Sequence, residues 1–155
     1  MRAIELLRKD HRVLERLFSE YEALSRHSDE KKDLYEKIRL ELELHSEIEE
    51  QIFFPAMLEA QPADAAFPVS QALVEGQNVK ERLHEISTLD PVEDEFDDRM
   101  HELRQSVERH IREQEGEMFS DAGEALSGEN LEELGQRMEE LRSSLTKNSR
   151  YRKTA

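Results

Sequence analysis

The stretch LYEKIRLELELHSEIEEQI, residues 34–52, decides the fold because its inward positions recur every three or four residues. Those positions are occupied in order by Leu34, Ile38, Leu42, His45, Glu49 and Ile52. Such a period is typical of an amphipathic helix. It also predicts that an imidazole and a carboxylate lie on the buried side. Burying a charge there costs several kcal/mol unless it is paired or binds a cation.

Other stretches of the chain show the same helical period and are separated by turn residues. We predict helices over about residues 2–24, 30–58, 69–87, 92–121 and 131–145. The second is expected to bend or end near Pro55, and residues 61–68 to form a loop. This pattern predicts an all-α fold, an antiparallel up-down four-helix bundle with an additional short C-terminal helix. We assign residues 1–146 to one domain and residues 147–155 to a basic, disordered tail.

The composition excludes several classes of function. The 155 residues include 37 Asp and Glu against 22 Lys and Arg, which gives a formal net charge of −15. This charge disfavours nucleic acid and anionic membranes as partners, because their phosphates would be repelled. The sequence contains no Cys, which removes disulfides, thiolate metal sites and Cys nucleophiles. Because the N-terminal stretch resembles neither a signal peptide nor a membrane span, we expect a cytoplasmic protein.

Polar residues stand at inward positions on two further helices. His11 fills a gap in the apolar stripe of the first helix, and His110 and Gln114 repeat on the fourth helix the spacing of His45 and Glu49. Residues four apart share a helix face and lie about 5–6 Å apart at Cβ. A metal ion would satisfy such residues together. Imidazole and carboxylate without thiolate suit iron, manganese or zinc, and a two-His-one-carboxylate set suits Fe(II) best.

Three segments resemble the hemerythrin-like family, whose members are called HHE cation-binding domains. They are Asp10-His11-Arg12, the run HSEIEEQIFFP from His45 to Pro55, and the run HIREQEGEMF from His110 to Phe119. The resemblance covers about residues 1–145. It implies a four-helix bundle around a non-haem di-iron centre, with one His on each of helices one and three and H-x-x-x-E on each of helices two and four. It also implies O2, NO or iron binding, sensing, or peroxide chemistry.

The sequence departs from that family pattern at two positions. Gly76, preceded by Glu75, stands where the helix-three His is expected, and Gln114 replaces the helix-four Glu. By the resemblance, both losses fall on the same iron, whereas the other iron keeps its ligands. We therefore predict one ion rather than two, iron first, with Mn or Zn as alternatives. The predicted metal ligands are His11, His45, Glu49 and His110.

The sequence allows several interpretations of the two altered positions and of the function. Gln114 is a neutral, poor ligand for a hard cation, so we predict that it bonds a bound water or Glu49. The gap at Gly76 is expected to admit a water, the Glu75 carboxylate or a small substrate. Three functions stay open: a sensor or carrier that binds O2, NO or iron, a non-haem iron enzyme that activates O2 beside Gly76, and a structural bundle with a decayed site. Residues predicted to be solvated are His27, His101 and the acidic runs 113–117 and 129–133. His84 lies two turns from Gly76 on a similar face, and we expect it to be too far along the helix to replace the missing His.

Overall fold

The computed structural model describes residues 1–148 and residue 151, and the described part is helical without strands. Its helices are α1 (Ala3–Glu22), α2 (Lys31–Ile48), α3 (Phe54–Ala60), α4 (Pro62–Ser87), α5 (Asp94–Glu113), α6 (Phe119–Ala125) and α7 (Gly128–Thr146). Two π-helical segments, Glu49–Phe53 and Gln114–Met118, join α2 to α3 and α5 to α6. The predicted all-α class is therefore confirmed. Because the π-helical segments continue the helices on both sides, α2 with α3 and α5 with α6 each form one continuous helical rod.

The start of α4 corrects a sequence prediction. Residues 61–68 are helical from Pro62 onward, not a loop. Proline is tolerated at the first helical position, because the N–H that it lacks has no partner there. Pro68 lies inside the helix but is exposed, so water can bond the carbonyl that its ring leaves unpaired. On the following turn, Ala72 is buried, whereas Leu73 is 41% exposed.

A layer of buried polar side chains separates two apolar clusters. One cluster gathers the N-terminal part of α1, the segment after Ile48 and much of α7, and includes Leu7 and Phe53. The other gathers the C-terminal part of α1, the first part of α2 and much of α5, and includes Leu14 and Ile38. The buried polar residues between them are Asp10, His11, His45, Glu49 and Gln114. The apolar clusters thus shield the polar layer from water on two sides.

The last helix, α7, approaches the beginning of α1 very closely. The Ser127 side chain caps α7 by accepting a hydrogen bond from the Asn130 N–H at 3.1 Å. Leu134 and Met138 are buried in the first apolar cluster. A Cβ atom at Gly135 would lie 1.9 Å from the carbonyl oxygen of Met1. Only glycine therefore fits at this contact.

Two further predictions concern the C-terminal tail and the absence of a membrane span. Most of the predicted tail 147–155 lies outside the described residues, and its disorder stays a prediction. Tyr151, which is described, is buried beside Leu40 and Leu44. Within the part of the chain that the structure describes, no helix is both long enough and apolar enough to cross a bilayer.

Replacing Gly135 with Ala is expected to destabilise the protein, because the added methyl overlaps backbone that can yield only if α7 moves off α1. We expect a loss of about 1–3 kcal/mol in the free energy of unfolding, measured by urea denaturation followed by circular dichroism. Gly123→Ala is the control. Its Cβ would meet only Ile4 Cδ1, at 4.0 Å, so it should be neutral or stabilising. Equal losses in both variants would contradict the close approach.

Candidate metal centre

Three imidazoles from three helices converge in the polar layer. One ligand atom from each of His11, His45 and His110 lies within 4.8 Å of the others. His11 and His45 are buried, whereas the His110 side chain is 17% exposed. Glu49, which begins the first π-helical segment, is 3% exposed and reaches the same point. The structure thus brings together all four predicted ligands; their binding of a metal stays a prediction.

One side-chain carboxylate and one side-chain amide face the Nε2 atoms of these rings. Glu49 Oε1 lies 2.8 Å from His45 Nε2 and 3.3 Å from His110 Nε2. Gln114 Oε1 lies 3.0 Å from His11 Nε2, and the amide nitrogen of Gln114 donates to Glu49 Oε2. Gln114 therefore contacts Glu49, as its neutral side chain led us to predict.

Carboxylates occupy the opposite side of two of the rings. His11 Nδ1 lies 2.7 Å from Glu115 Oε2, and His45 Nδ1 lies 3.0 Å from Asp10 Oδ2. A carboxylate accepts a hydrogen from Nδ1, which leaves the lone pair of a neutral ring on Nε2. Both Nε2 lone pairs then point at oxygen lone pairs. Such an arrangement is favourable only around a proton or a cation.

The Nε2 atom of His45 shows the strongest need for a partner. Within the described part of the chain, it is a buried side-chain nitrogen without a hydrogen bond of good geometry, and Glu49 Oε1, 2.8 Å away, can pair with it only when the ring carries a second proton. Leaving a buried polar atom unpaired costs about 1–3 kcal/mol. Three imidazoles, one carboxylate and an unpartnered ring nitrogen fit a transition-metal ion that prefers nitrogen and oxygen ligands.

Burial and charge act in opposite directions on the pKa values of these groups. Burial, together with repulsion from His45, lowers the pKa of His11 to about 4. Burial also lowers the pKa of His45, but Glu49 and Asp10 outweigh it and raise that pKa to about 10. Burial raises the pKa of the Glu49 carboxyl, but the charges of His45 and His110 outweigh it and hold that pKa well below its usual range. The centre therefore offers an ionised carboxylate to a cation.

Both oxygen-bearing positions coincide with a break in α-helical geometry. Glu49 and Gln114 each begin a π-helical segment, and their carbonyls accept from the N–H groups of Phe54 and Phe119, five residues on. Such π-helical turns occur frequently at functional sites. The sequence analysis did not predict them. The available signals were Pro55 shortly after the first segment and Gly116 within the second.

Two carboxylates of the centre had no assigned role in the sequence analysis. Glu115 was predicted to be solvated, which is wrong: its side chain is only 23% exposed and bonds both His11 and Arg12. The period assumed for an unbroken α-helix placed Glu115 outside, and the π-helical segment changes that phase. Asp10 is buried. Its spacing from Leu7 and Leu14, three and four residues away, was a signal that could have identified it.

Gly76 lies on α4 beside a small cavity that reaches the centre. Its Cβ would lie 3.9 Å from both Ser46 Oγ and Glu50 Oε1. The cavity has a volume of about 40 Å³, and its lining includes Gly76, His45, Glu49 and His110 together with apolar side chains. This space suits water or a diatomic molecule, because a cavity that holds benzene measures about 150 Å³.

The remaining predicted positions lie away from that cavity. Glu75 is not part of its lining. Burial and the neighbouring Glu113 carboxyl raise the pKa of Glu75. His27 and His101 are exposed as predicted, and His84 is exposed as well.

Comparisons with known proteins bear on the family and the fold of the chain. The chain matches the model of the Hemerythrin HHE cation binding domain over residues 2–122, so α7 lies outside the matched range. It is 26% identical over 143 residues to a protein named DNA nickase from Nostoc sp.; the match covers 91% of this chain. The chain spans only 39% of that relative's length.

A solved structure is also similar to this chain. It is the crystal structure of a Hemerythrin HHE cation binding domain-containing protein from Mycobacterium kansasii. The two share a TM-score of 0.80 and 24% sequence identity, over 98% of this chain and 95% of that chain. At this identity, the likeness concerns the fold alone.

Replacing Glu115 with Ala is expected to weaken metal binding roughly 10–100-fold, because His11 loses the carboxylate that fixes its ring and tautomer. The measurement is an anaerobic Fe(II) titration against a competing chelator. Glu117→Ala is the matched control, since it removes the same charge from an exposed position in the same segment. Equal affinities of the two variants would show that Glu115 acts only through its charge.

Proposed function

Because the chain belongs to the hemerythrin HHE cation-binding domain family, we propose that it binds non-haem iron and thereby binds or senses O2, NO or iron itself. The centre would lie inside an antiparallel four-helix bundle to which α7 is added. The observation that carries this proposal is the convergence of three imidazoles and the Glu49 carboxylate around the unpartnered Nε2 of His45.

We assign the ion to four ligands, namely His11, His45, Glu49 and His110. One ion is favoured over two because Gln114 and Gly76 supply neither the second carboxylate nor the additional imidazole. Two dications in a low-dielectric interior repel each other strongly, and Glu49 alone would screen that repulsion. Mn or Zn would suit the same donors, so the identity of the metal is decided by metal analysis.

The cavity beside Gly76 has a size and a lining that suit a small ligand. Fe(II) held by these residues would supply an open site for a diatomic molecule. His45 and His110 border the cavity at the centre, and side chains such as Val79 and Leu83 make other parts of its wall apolar. With a volume of about 40 Å³, the cavity has no room for a larger organic substrate beside Gly76. For this cavity we therefore favour binding or sensing of a diatomic over oxidation of a substrate. A separate cavity of about 380 Å³, whose lining includes Glu75, His110 and Gln114, is large enough for an organic substrate.

Two other functions receive less support. A structural bundle with a decayed site would gain stability by replacing this polar layer with apolar side chains, yet Asp10 and Glu115 still fix the two rings. A DNA substrate is suggested only by the name of the Nostoc relative, of which the chain spans 39%. The net charge of −15 would repel DNA, so we do not extend that name to this chain.

Replacing His45 with Ala is expected to abolish metal binding, because it removes a central ligand and breaks the contact with Glu49. Iron per chain, measured by elemental analysis of protein made in iron-rich medium, should fall from about one to near zero. His27→Ala is the control, since His27 is exposed and distant in sequence from the centre. The proposed site is wrong if both variants retain equal iron.

Restoring both family residues is expected to create a second iron position. In Gly76→His plus Gln114→Glu, the added imidazole enters at a position where a Cβ makes only ordinary contacts, and the added carboxylate supplies a second bridge. Iron per chain should rise from about one toward two, with the visible absorption of an oxo-bridged di-iron(III) centre. Each single change should do less than the pair, because both act on one ion. Two irons in the unmodified protein would contradict this interpretation.

A further inference from the structure

The helix α7 lies outside the residues matched by the family model, yet one of its side chains reaches the candidate metal centre. Arg142 Nη1 donates to Asp10 Oδ1 at 3.2 Å. Arg142 Nη2 donates to both carboxylate oxygens of Glu41, each at 2.7 Å. Arg142 therefore connects α7 to α1 and α2 at the same time.

Asp10 is shared between Arg142 and the metal ligand His45. Its Oδ1 accepts from Arg142, and its Oδ2 lies 3.0 Å from His45 Nδ1. The Asp10 side chain is only 8% exposed, so water cannot readily take the place of either partner. The orientation of the His45 ring thus depends on a carboxylate that Arg142 helps to hold.

The other end of this chain of contacts is also fixed. Glu41 is 19% exposed, and both of its carboxylate oxygens accept from Arg142 Nη2. Gly135 and Met138 hold α7 against the rest of the protein through a backbone contact and a buried side chain. The position of α7 consequently sets the position of Arg142 relative to α1.

We propose that Arg142 is a positioning residue of the metal centre, and that metal occupancy and the docking of α7 are linked through Arg142, Asp10 and His45. This inference rests on the proposed function, because it assumes that His45 binds a metal. Linkage is reciprocal. An ion that fixes His45 stabilises the docking of α7, and undocking of α7 weakens the binding of the ion. A sensor built this way would report its metal as a change in the exposed surface of α7.

The first experiment uses the full chain and Co2+, whose visible absorption reports the geometry of its ligands. Arg142→Gln should lower the Co2+ affinity about tenfold and alter the visible bands, because Asp10 no longer holds the His45 ring in place. Arg142→Lys, which retains a donor for Asp10, should restore part of the affinity. Arg137→Gln is the matched control, since Arg137 is an exposed arginine of the same helix. It should match the unmodified protein.

The outcomes separate this inference from the proposed function. If the unmodified protein binds no Co2+ and no Fe(II), the proposed function fails and this inference fails with it. If it binds Co2+ and Arg142→Gln binds with the same affinity and the same bands, only the inference is overturned. A change in stability without a change in the bands would also overturn it, because Arg142 would then serve only to anchor α7.

A second experiment tests the linkage first in the unmodified protein. Hydrogen exchange of the unmodified protein is compared with and without Co2+, and the amides of residues 131–146 are followed. We expect Co2+ to slow exchange in α7 several-fold in the unmodified protein. In Arg142→Gln, Co2+ should not slow exchange in α7. Unchanged exchange in α7 of the unmodified protein on binding Co2+ would overturn the linkage.

Discussion

The ionised carboxylate of Glu49, only 3% exposed, is the constraint on which the interior depends. Removing such a charge from water costs several kcal/mol unless partners compensate for it. Here the partners are His45 from α2, His110 from α5 and the Gln114 amide from the segment after α5. Because these groups come from two rods, the carboxylate fixes how closely the rods approach. The apolar clusters on either side then exclude the water that would weaken these contacts.

Carboxylates serve two different purposes in this layer, and the ring nitrogen that each one faces decides which. Glu49 lies beside Nε2 atoms, where a cation would bind, whereas Asp10 and Glu115 lie beside Nδ1 atoms and orient the rings. A hydrogen bond at Nδ1 fixes the orientation of the ring, so that its Nε2 lone pair faces the interior. The same arrangement gives α7 an influence on the centre, because Asp10 also accepts from Arg142.

Local periodicity was sufficient to predict much of this centre and insufficient for the rest. His45 and Glu49 were placed inward because their spacing continues an apolar stripe over many turns. Glu115 was misplaced because the π-helical segment changes the helical phase, which a constant period does not capture. The loop predicted at residues 61–68 was wrong because Pro62 occupies the first helical position, where its missing N–H has no helical partner, and the exposed Pro68 removes one backbone hydrogen bond without ending the helix. Arg142 had no sequence signal, since it meets Asp10 across 132 positions of the chain.

The two departures from the family pattern are consistent with each other in physical terms. A carboxylate at position 114 could only accept hydrogen bonds, and beside Glu49 it would need a second cation to offset the repulsion. The Gln114 amide instead donates to Glu49 while its oxygen faces His11, so the pair is stable without that cation. By the family pattern, an imidazole at position 76 would serve that same second ion, and Gly76 leaves a cavity there. Neutrality at one position and open space at the other are the two features from which we propose a single ion with a small ligand beside it.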